Sequence, residues 1–214
     1  MPHSTLIFDL EGTLSDPALG VVRCTNFALT SFDLSPRADH EITQHIGPPL
    51  EHTLALLSAS DDEEHIAALA ARYRERYAEL GFQENTPYPG VRETLAALKR
   101  RGSRLGVRTS KLRHNAIKTL EMFNLIPFLD FISGPTATET KSQQLRELLH
   151  DKTIDPEALM IGDRPIGLQA AHDNQLQSAG VIWGYGDRRE LESEQPAFLF
   201  ASFPELFQAL TPQR

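Results

Sequence analysis

The chain has 214 residues, of which 40% are hydrophobic and 23% charged, with a formal net charge of −8. That is room for a sizeable core, as one large domain or a main domain with an insert, while the acidity offers nothing to nucleic acid or an anionic membrane surface. No apolar run approaches the roughly 20 residues a bilayer requires. The single cysteine, Cys24, excludes an internal disulfide. Met1-Pro2-His3-Ser4 leads almost directly into an apolar run without a signal-peptide pattern, and together these predict a cytoplasmic protein.

Leu6-Ile7-Phe8 has strand character and ends on Asp9, with a second carboxylate at Glu11 before Gly12 and Thr13 turn the chain away. Period-2 geometry puts Asp9 and Glu11 on one side if the backbone stays extended. An acid at the carboxyl end of a buried strand lies where open α/β sheets bind ligands. There it can serve as nucleophile, proton shuttle or hard-cation ligand. Helical spacing follows over Leu19 to Phe32, Asp39 to Ile46 and Leu50 to Leu57, with Gly47-Pro48-Pro49 as a breaker. Ser60-Asp61-Asp62-Glu63-Glu64 reads as a helix start whose apolar positions run through Ile66, Leu69, Tyr73 and Tyr77. Cys24 sits in such a helical pattern beside Val21, Val22 and Phe27, as a buried structural thiol.

Thr86-Pro87-Tyr88-Pro89-Gly90 is a stiff linker, after which helices and strands alternate. Helices are predicted over Val91 to Arg101, Arg113 to Phe123, Lys141 to Leu149, Leu168 to His172 and Pro204 to Leu210. Strands are predicted over Leu105 to Val107, Phe128 to Ile132, Ala158 to Ile161, Val181 to Trp183 and Phe198 to Phe200. The alternation predicts an α/β fold, a Rossmann-like parallel sheet with helices on both faces. Residues 1–14 and 86–214 would form this core, and residues 15–85 an inserted helical cap.

Three further sites follow strands or open helices. Thr109-Ser110-Lys111 offers hydroxyls and backbone N–H groups for a phosphate, although Thr-Ser alone is most often a helix cap. Lys141 opens a helix, where a cation is slightly unfavourable and would otherwise be a surface residue. Gly162-Asp163-Arg164 repeats the strand-then-acid logic of Asp9 and suggests a second ligand for one hard cation.

Acid, hydroxyl, lysine and acid in this order resemble the haloacid dehalogenase superfamily over nearly the whole chain. Ile7-Phe8-Asp9-Leu10-Glu11-Gly12-Thr13-Leu14 is similar to the first motif, Asp-x-Asp-Gly-Thr. Thr109-Ser110-Lys111, Lys141 and Gly162-Asp163-Arg164 resemble the second, third and fourth. The helical insert, Ile46-Gly47-Pro48-Pro49-Leu50, Tyr88-Pro89-Gly90-Val91 and Val181-Ile182-Trp183-Gly184-Tyr185-Gly186 resemble the phosphoglycolate phosphatase-like branch.

The resemblance implies a Mg²⁺-dependent phosphatase for a small phosphorylated metabolite, phosphoglycolate-like or a sugar or nucleoside monophosphate. It implies Asp9 as nucleophile, Glu11 as proton shuttle, and Thr109, Ser110 and Lys141 on the phosphoryl oxygens. Mg²⁺ would bridge Asp9, the backbone carbonyl of Glu11 and Asp163. Gly47 and Pro48 would belong to a substrate-contacting cap loop. Neither a nucleic-acid nor a membrane partner is expected, and monomer and homodimer are both open.

Three positions depart from the pattern. Glu11 stands where relatives place aspartate, Gly167 where they commonly carry another acid, and Arg108 where they usually have an apolar residue. Asp173 lies too far along its helix to replace the acid. A non-catalytic binding or regulatory protein on the same scaffold is the competing reading. A metal-free dehalogenase acting through Asp9 is a third, opposed by the carboxylate at Glu11, where that branch carries an aromatic residue.

Overall fold

The structure is a computed structural model that describes residue 3 and residues 5–135 and 139–211. Met1, Pro2 and Ser4 of the amino-terminal reading lie outside the described residues. In chain order, β1 (Thr5–Phe8) and the short β2 (Ser15–Asp16) precede α1 (Ala18–Thr30), α2 (Asp39–Thr43), α3 (Leu50–Ser58) and α4 (Glu63–Arg76). A π-helical turn, Tyr77–Gly81, leads to β3 (Thr86–Pro87) and α5 (Val91–Arg100). Then come β4 (Arg104–Arg108), α6 (Arg113–Met122), a 3-10 turn (Ile126–Phe128) and β5 (Phe131–Ser133). The chain continues through α7 (Lys141–His150), β6 (Leu159–Gly162), α8 (Pro165–His172) and β7 (Gln177–Val181). It ends with α9 (Arg188–Ser193), β8 (Phe198–Phe200) and α10 (Phe203–Leu210). The chain divides into two compact units, Met1–Asp16 with Pro87–Arg214, and Pro17–Thr86.

In the first unit six strands form a sheet in the order β5-β4-β1-β6-β7-β8, with parallel pairing throughout. Phe8 lies beside Val107 on one side and Ile161 on the other. Strands buried on both faces read as continuous apolar runs, and successive side chains separate to opposite faces. Leu6 and Phe8 accordingly pack with Leu105, Val107, Leu159 and Ile161 against Val91 and Leu95 of α5 and Phe203 and Leu206 of α10. Ile7 and Met160 face the other way, against Leu145 of α7 and Ala170 and Ala171 of α8. The chain builds β4 and β5 to one side of β1 and β6, β7 and β8 to the other. Open α/β sheets bind ligands beyond the carboxyl ends of the strands at such a reversal.

The second unit is helical. Cys24, Ala28 and Leu29 of α1, Leu54 of α3, and Leu69, Ala70 and Tyr73 of α4 share one buried cluster with Tyr77. Glu84 ties this unit internally, pairing with Arg76 at 2.8 Å and Arg23 at 2.7 Å. Asp62 caps α4, accepting from the amides of Glu64 and His65. No helix among the described residues is long and apolar enough to cross a membrane.

Several boundaries differ from the sequence reading. The strand expected over Val181 to Trp183 lies earlier, at Gln177–Val181. Phe128 belongs to the 3-10 turn, and β5 begins only at Phe131. The helix α9 carries one buried residue, Leu191, so it has no apolar stripe for periodicity to detect. Phe8 is fully buried between two strand neighbours. Phe8→Ala is therefore expected to cost about 3–5 kcal/mol, read as a lower urea midpoint with an unchanged slope.

Candidate active site

β4, β1 and β6 are adjacent, and the residues that follow them converge. Asp9 leaves β1 with its amide donating to the Ile161 carbonyl at 2.9 Å, so it is still held by the sheet. Its side chain is buried. Oδ1 accepts from the Leu10 amide at 2.9 Å, and Oδ2 from Lys141 Nζ at 2.6 Å. Arg108 Nη2 lies 3.6 Å from the same Oδ2. Burial alone would raise the Asp9 carboxyl, but the charges of Lys141 and Arg108 outweigh it and hold it below the usual carboxylate range.

Lys141 is buried because of how its helix starts. Thr140 caps α7, its hydroxyl accepting from the Gln143 amide at 3.2 Å while Gln143 Oε1 accepts from the Thr140 amide at 2.8 Å. The first helical residue is thereby fixed at the end of the sheet. Burial pushes the Lys141 ammonium down, opposed by Asp9.

Asp163 follows β6 and is also buried. Its Oδ1 accepts from the Thr13 hydroxyl at 3.2 Å and its Oδ2 from the Tyr185 amide at 3.0 Å. Gly12 makes this approach possible. It has φ +76°, and a Cβ there would lie 1.9 Å from Asp163 Oδ2. Trp183 Nε1 donates to the Thr13 carbonyl at 2.9 Å, and the Tyr185 hydroxyl donates to Asp16, fastening the 183–185 turn beside the first motif. Burial, followed by the charge of Asp9, pushes the Asp163 carboxyl up to about 6.

Glu11 and Thr109 have different surroundings from those the sequence suggested. β1 ends at Phe8, so Asp9 and Glu11 do not lie along an extended strand. Asp9 turns to Lys141, whereas Glu11 Oε1 pairs with Lys111 Nζ at 2.7 Å. Thr109 is buried, its amide donating to the Ser133 carbonyl at 3.0 Å and its hydroxyl accepting from the Lys111 amide at 3.1 Å. Ser110 is half-buried. Because α6 begins only at Arg113, Thr109 and Ser110 precede the helix and do not cap it. Gly47 and Pro48 lie in the second unit, between α2 and α3.

Sequence reasoning gave no role to Lys111, Thr13 or Tyr185, and treated Arg108 only as a departure. A charged residue directly after the apolar run Leu105-Gly106-Val107 is the one available signal for Arg108. Among the described residues no three His, Cys, Asp or Glu side chains group as a metal site. Asp9 and Asp163 are nevertheless two buried carboxylates close enough for one to raise the other. A hard divalent cation relieves that repulsion, so the donor set fits one through two acidic side chains.

Residues 6–181 match the family model of haloacid dehalogenase-like hydrolases. A 5'-nucleotidase of Pseudomonas aeruginosa is 33% identical over 97% of this chain and 96% of its own length. A phosphoglycolate phosphatase of Agrobacterium fabrum is 30% identical, covering 96% of this chain and 90% of its own. A crystal structure of a predicted phosphatase from Clostridium acetobutylicum superposes with a TM-score of 0.91 at 31% identity, over 97% of this chain and 98% of that one. The chain belongs to the haloacid dehalogenase-like hydrolase family, in its phosphoglycolate phosphatase-like branch.

The raised Asp163 carboxyl gives the cation-free protein a pH signature. A carboxyl raised from 3.8 to about 6 contributes stability that is fully present below pH 3.8 and lost as pH rises through 6. With chelator present, unfolding stability should fall across this window by up to about 3 kcal/mol. Asp163→Asn should flatten that slope, as measured by thermal or urea unfolding at several pH values.

Proposed function

We propose that this chain is a phosphatase for a small phosphorylated metabolite, acting through an aspartyl-phosphate on Asp9. The observation that carries the proposal is the buried Asp9 carboxylate at the end of the central strand, with Lys141 Nζ at 2.6 Å and kept in its charged form. An ionised, oriented carboxylate is the state a nucleophile requires. The relatives named as 5'-nucleotidase and phosphoglycolate phosphatase support a phosphate monoester as substrate.

In the first half-reaction an Asp9 oxygen bonds to phosphorus as the ester P–O bond breaks. The Glu11 carboxyl gives its proton to the departing oxygen. In the second, Glu11 takes a proton from water, the water oxygen attacks phosphorus, and the Asp9–phosphorus bond breaks to release inorganic phosphate. Thr109, Ser110 and Lys141 hold the phosphoryl oxygens and offset their charge. Asp9, Asp163 and the backbone carbonyl of Glu11 would hold Mg²⁺, which supplies charge neutralisation between the nucleophile and the anionic ester.

Glu11 gives the competing reading its basis. Its carboxylate is paired with Lys111, and it must leave that partner to reach a leaving oxygen. A protein that binds a phosphate ester without turning it over is the outcome if it does not.

Hydrolysis of p-nitrophenyl phosphate and of a panel of phosphorylated metabolites at saturating Mg²⁺ separates the two. Asp9→Asn should reduce turnover to background while leaving the unfolding midpoint measurable and cooperative. Wild-type turnover in that variant would sink the mechanism. Background turnover by the unmodified protein, with phosphate binding seen by calorimetry, would favour the binding reading. Glu11→Asp shortens the shuttle by one methylene and should raise turnover. The gain could approach the roughly hundredfold associated with a correction of about 1 Å. A fall from a robust wild-type rate would instead show that the site has adapted to glutamate.

A further inference from the structure

Arg108 closes β4, and the strand's alternation places it on the face of Gly106, opposite Leu105 and Val107. That face is otherwise lined by apolar groups such as Met160, whose Sδ lies 3.9 Å from Arg108 Nη2. The guanidinium is fully buried. Its only ion pair among the described residues is the 3.6 Å contact with Asp9 Oδ2, and neither Nε nor Nη1 has a hydrogen-bond partner there. Burying a charge with unmet donors costs several kcal/mol and is not a way to stabilise a fold.

Gly167 of α8 lies directly beside it. A Cβ on Gly167 would sit 3.5 Å from Arg108 Nη2 and 3.9 Å from Asp9 Oδ2. Those are ordinary van der Waals distances, so a carboxylate at 167 would begin within reach of the guanidinium. The two departures, 108 and 167, are neighbours in space at the nucleophile.

The charges close without any ion. Asp9 and Asp163 are balanced by Lys141 and Arg108, all buried in the same unit. A divalent cation entering beside Asp9 would do so against a fixed positive charge a few Å away.

We propose that Arg108 is a resident cation of the site: with Gly167 beside it adding no carboxylate, its guanidinium sets the charge facing Asp9 and keeps the affinity of the Asp9–Asp163 pair for a divalent cation low. The inference deepens the phosphatase reading, since it concerns how that site is charged. It also predicts that an acid restored at 167 pairs with Arg108 and adds little to cation binding while the arginine is present.

Mg²⁺ titration by calorimetry on the full chain tests this without turnover. Arg108→Met keeps the volume and removes the charge, and should tighten Mg²⁺ binding by at least about tenfold, a floor well below what one unit charge at this range is worth at an effective dielectric near 20. Arg108→Lys keeps the charge and should stay near the unmodified protein. Gly167→Asp alone should change the isotherm little, and in the Arg108→Met background should tighten it further, a non-additivity that two independent sites would not show. If Arg108→Met fails to fold, Arg108→Gln carries the same expectation. The inference is overturned if the folded neutral variant binds Mg²⁺ no more tightly than the unmodified protein, detectable or not. It is equally overturned if Arg108→Lys tightens binding as much as Arg108→Met. An inert protein whose isotherm shifts as expected would remove the phosphatase reading and leave this one standing. An active protein with an unmoved isotherm would do the reverse.

Discussion

A carboxylate buried at the end of the central strand is the constraint around which this unit is arranged. Asp9 is 4% exposed, and an isolated charge in such a place neutralises unless cations reach it. Two do, from two different elements. Lys141 comes from the first turn of α7 and Arg108 from the last residue of β4. The cap at Thr140 and the register of β4 against β1 thus have electrostatic as well as architectural consequences. Displacing either would leave Asp9 short of a partner and let burial push its carboxyl upward.

The second carboxylate is held by a different device. Asp163 has no lysine or arginine in hydrogen-bond contact among the described residues. It is oriented by a hydroxyl, a backbone amide and the absence of a side chain at Gly12. Orientation with no cation in direct contact leaves its carboxyl raised, while Asp9 is lowered. Two acids on neighbouring strands therefore carry opposite shifts. That asymmetry suits a site where one acid attacks and the other waits for a cation.

The motifs were legible because each is local: an apolar strand ending on an acid, a capped helix opening on lysine, a second strand ending on an acid. Elements without such local marks were displaced or missed. β7 runs through Ser178 and Gly180, which are buried but carry too little apolar surface to read as a strand. The apolar signal therefore starts only at Val181, the last residue of the strand. α9 does carry a capping box, Asp187 with Glu190, but a single buried leucine leaves no periodic stripe. Period-2 spacing puts Asp9 and Glu11 on one side only where the backbone stays extended; β1 stops at Phe8, and beyond it the two acids pair with different lysines.

Sequence by itself determined the layered α/β architecture and the acids, hydroxyl and lysine at the strand ends, because strand and helix periodicities and their terminating residues are properties of short stretches. It also marked 108 and 167 as unusual, but only as separate oddities. Tertiary structure decided that they are one feature, since β4 and α8 bring Arg108 Nη2 to the open side of Gly167. It likewise decided that Glu11 pairs with Lys111 and Asp163 with Thr13 and Tyr185. Charge balance at a buried site depends on distances of a few Å between segments far apart in the chain, and no local pattern encodes those distances.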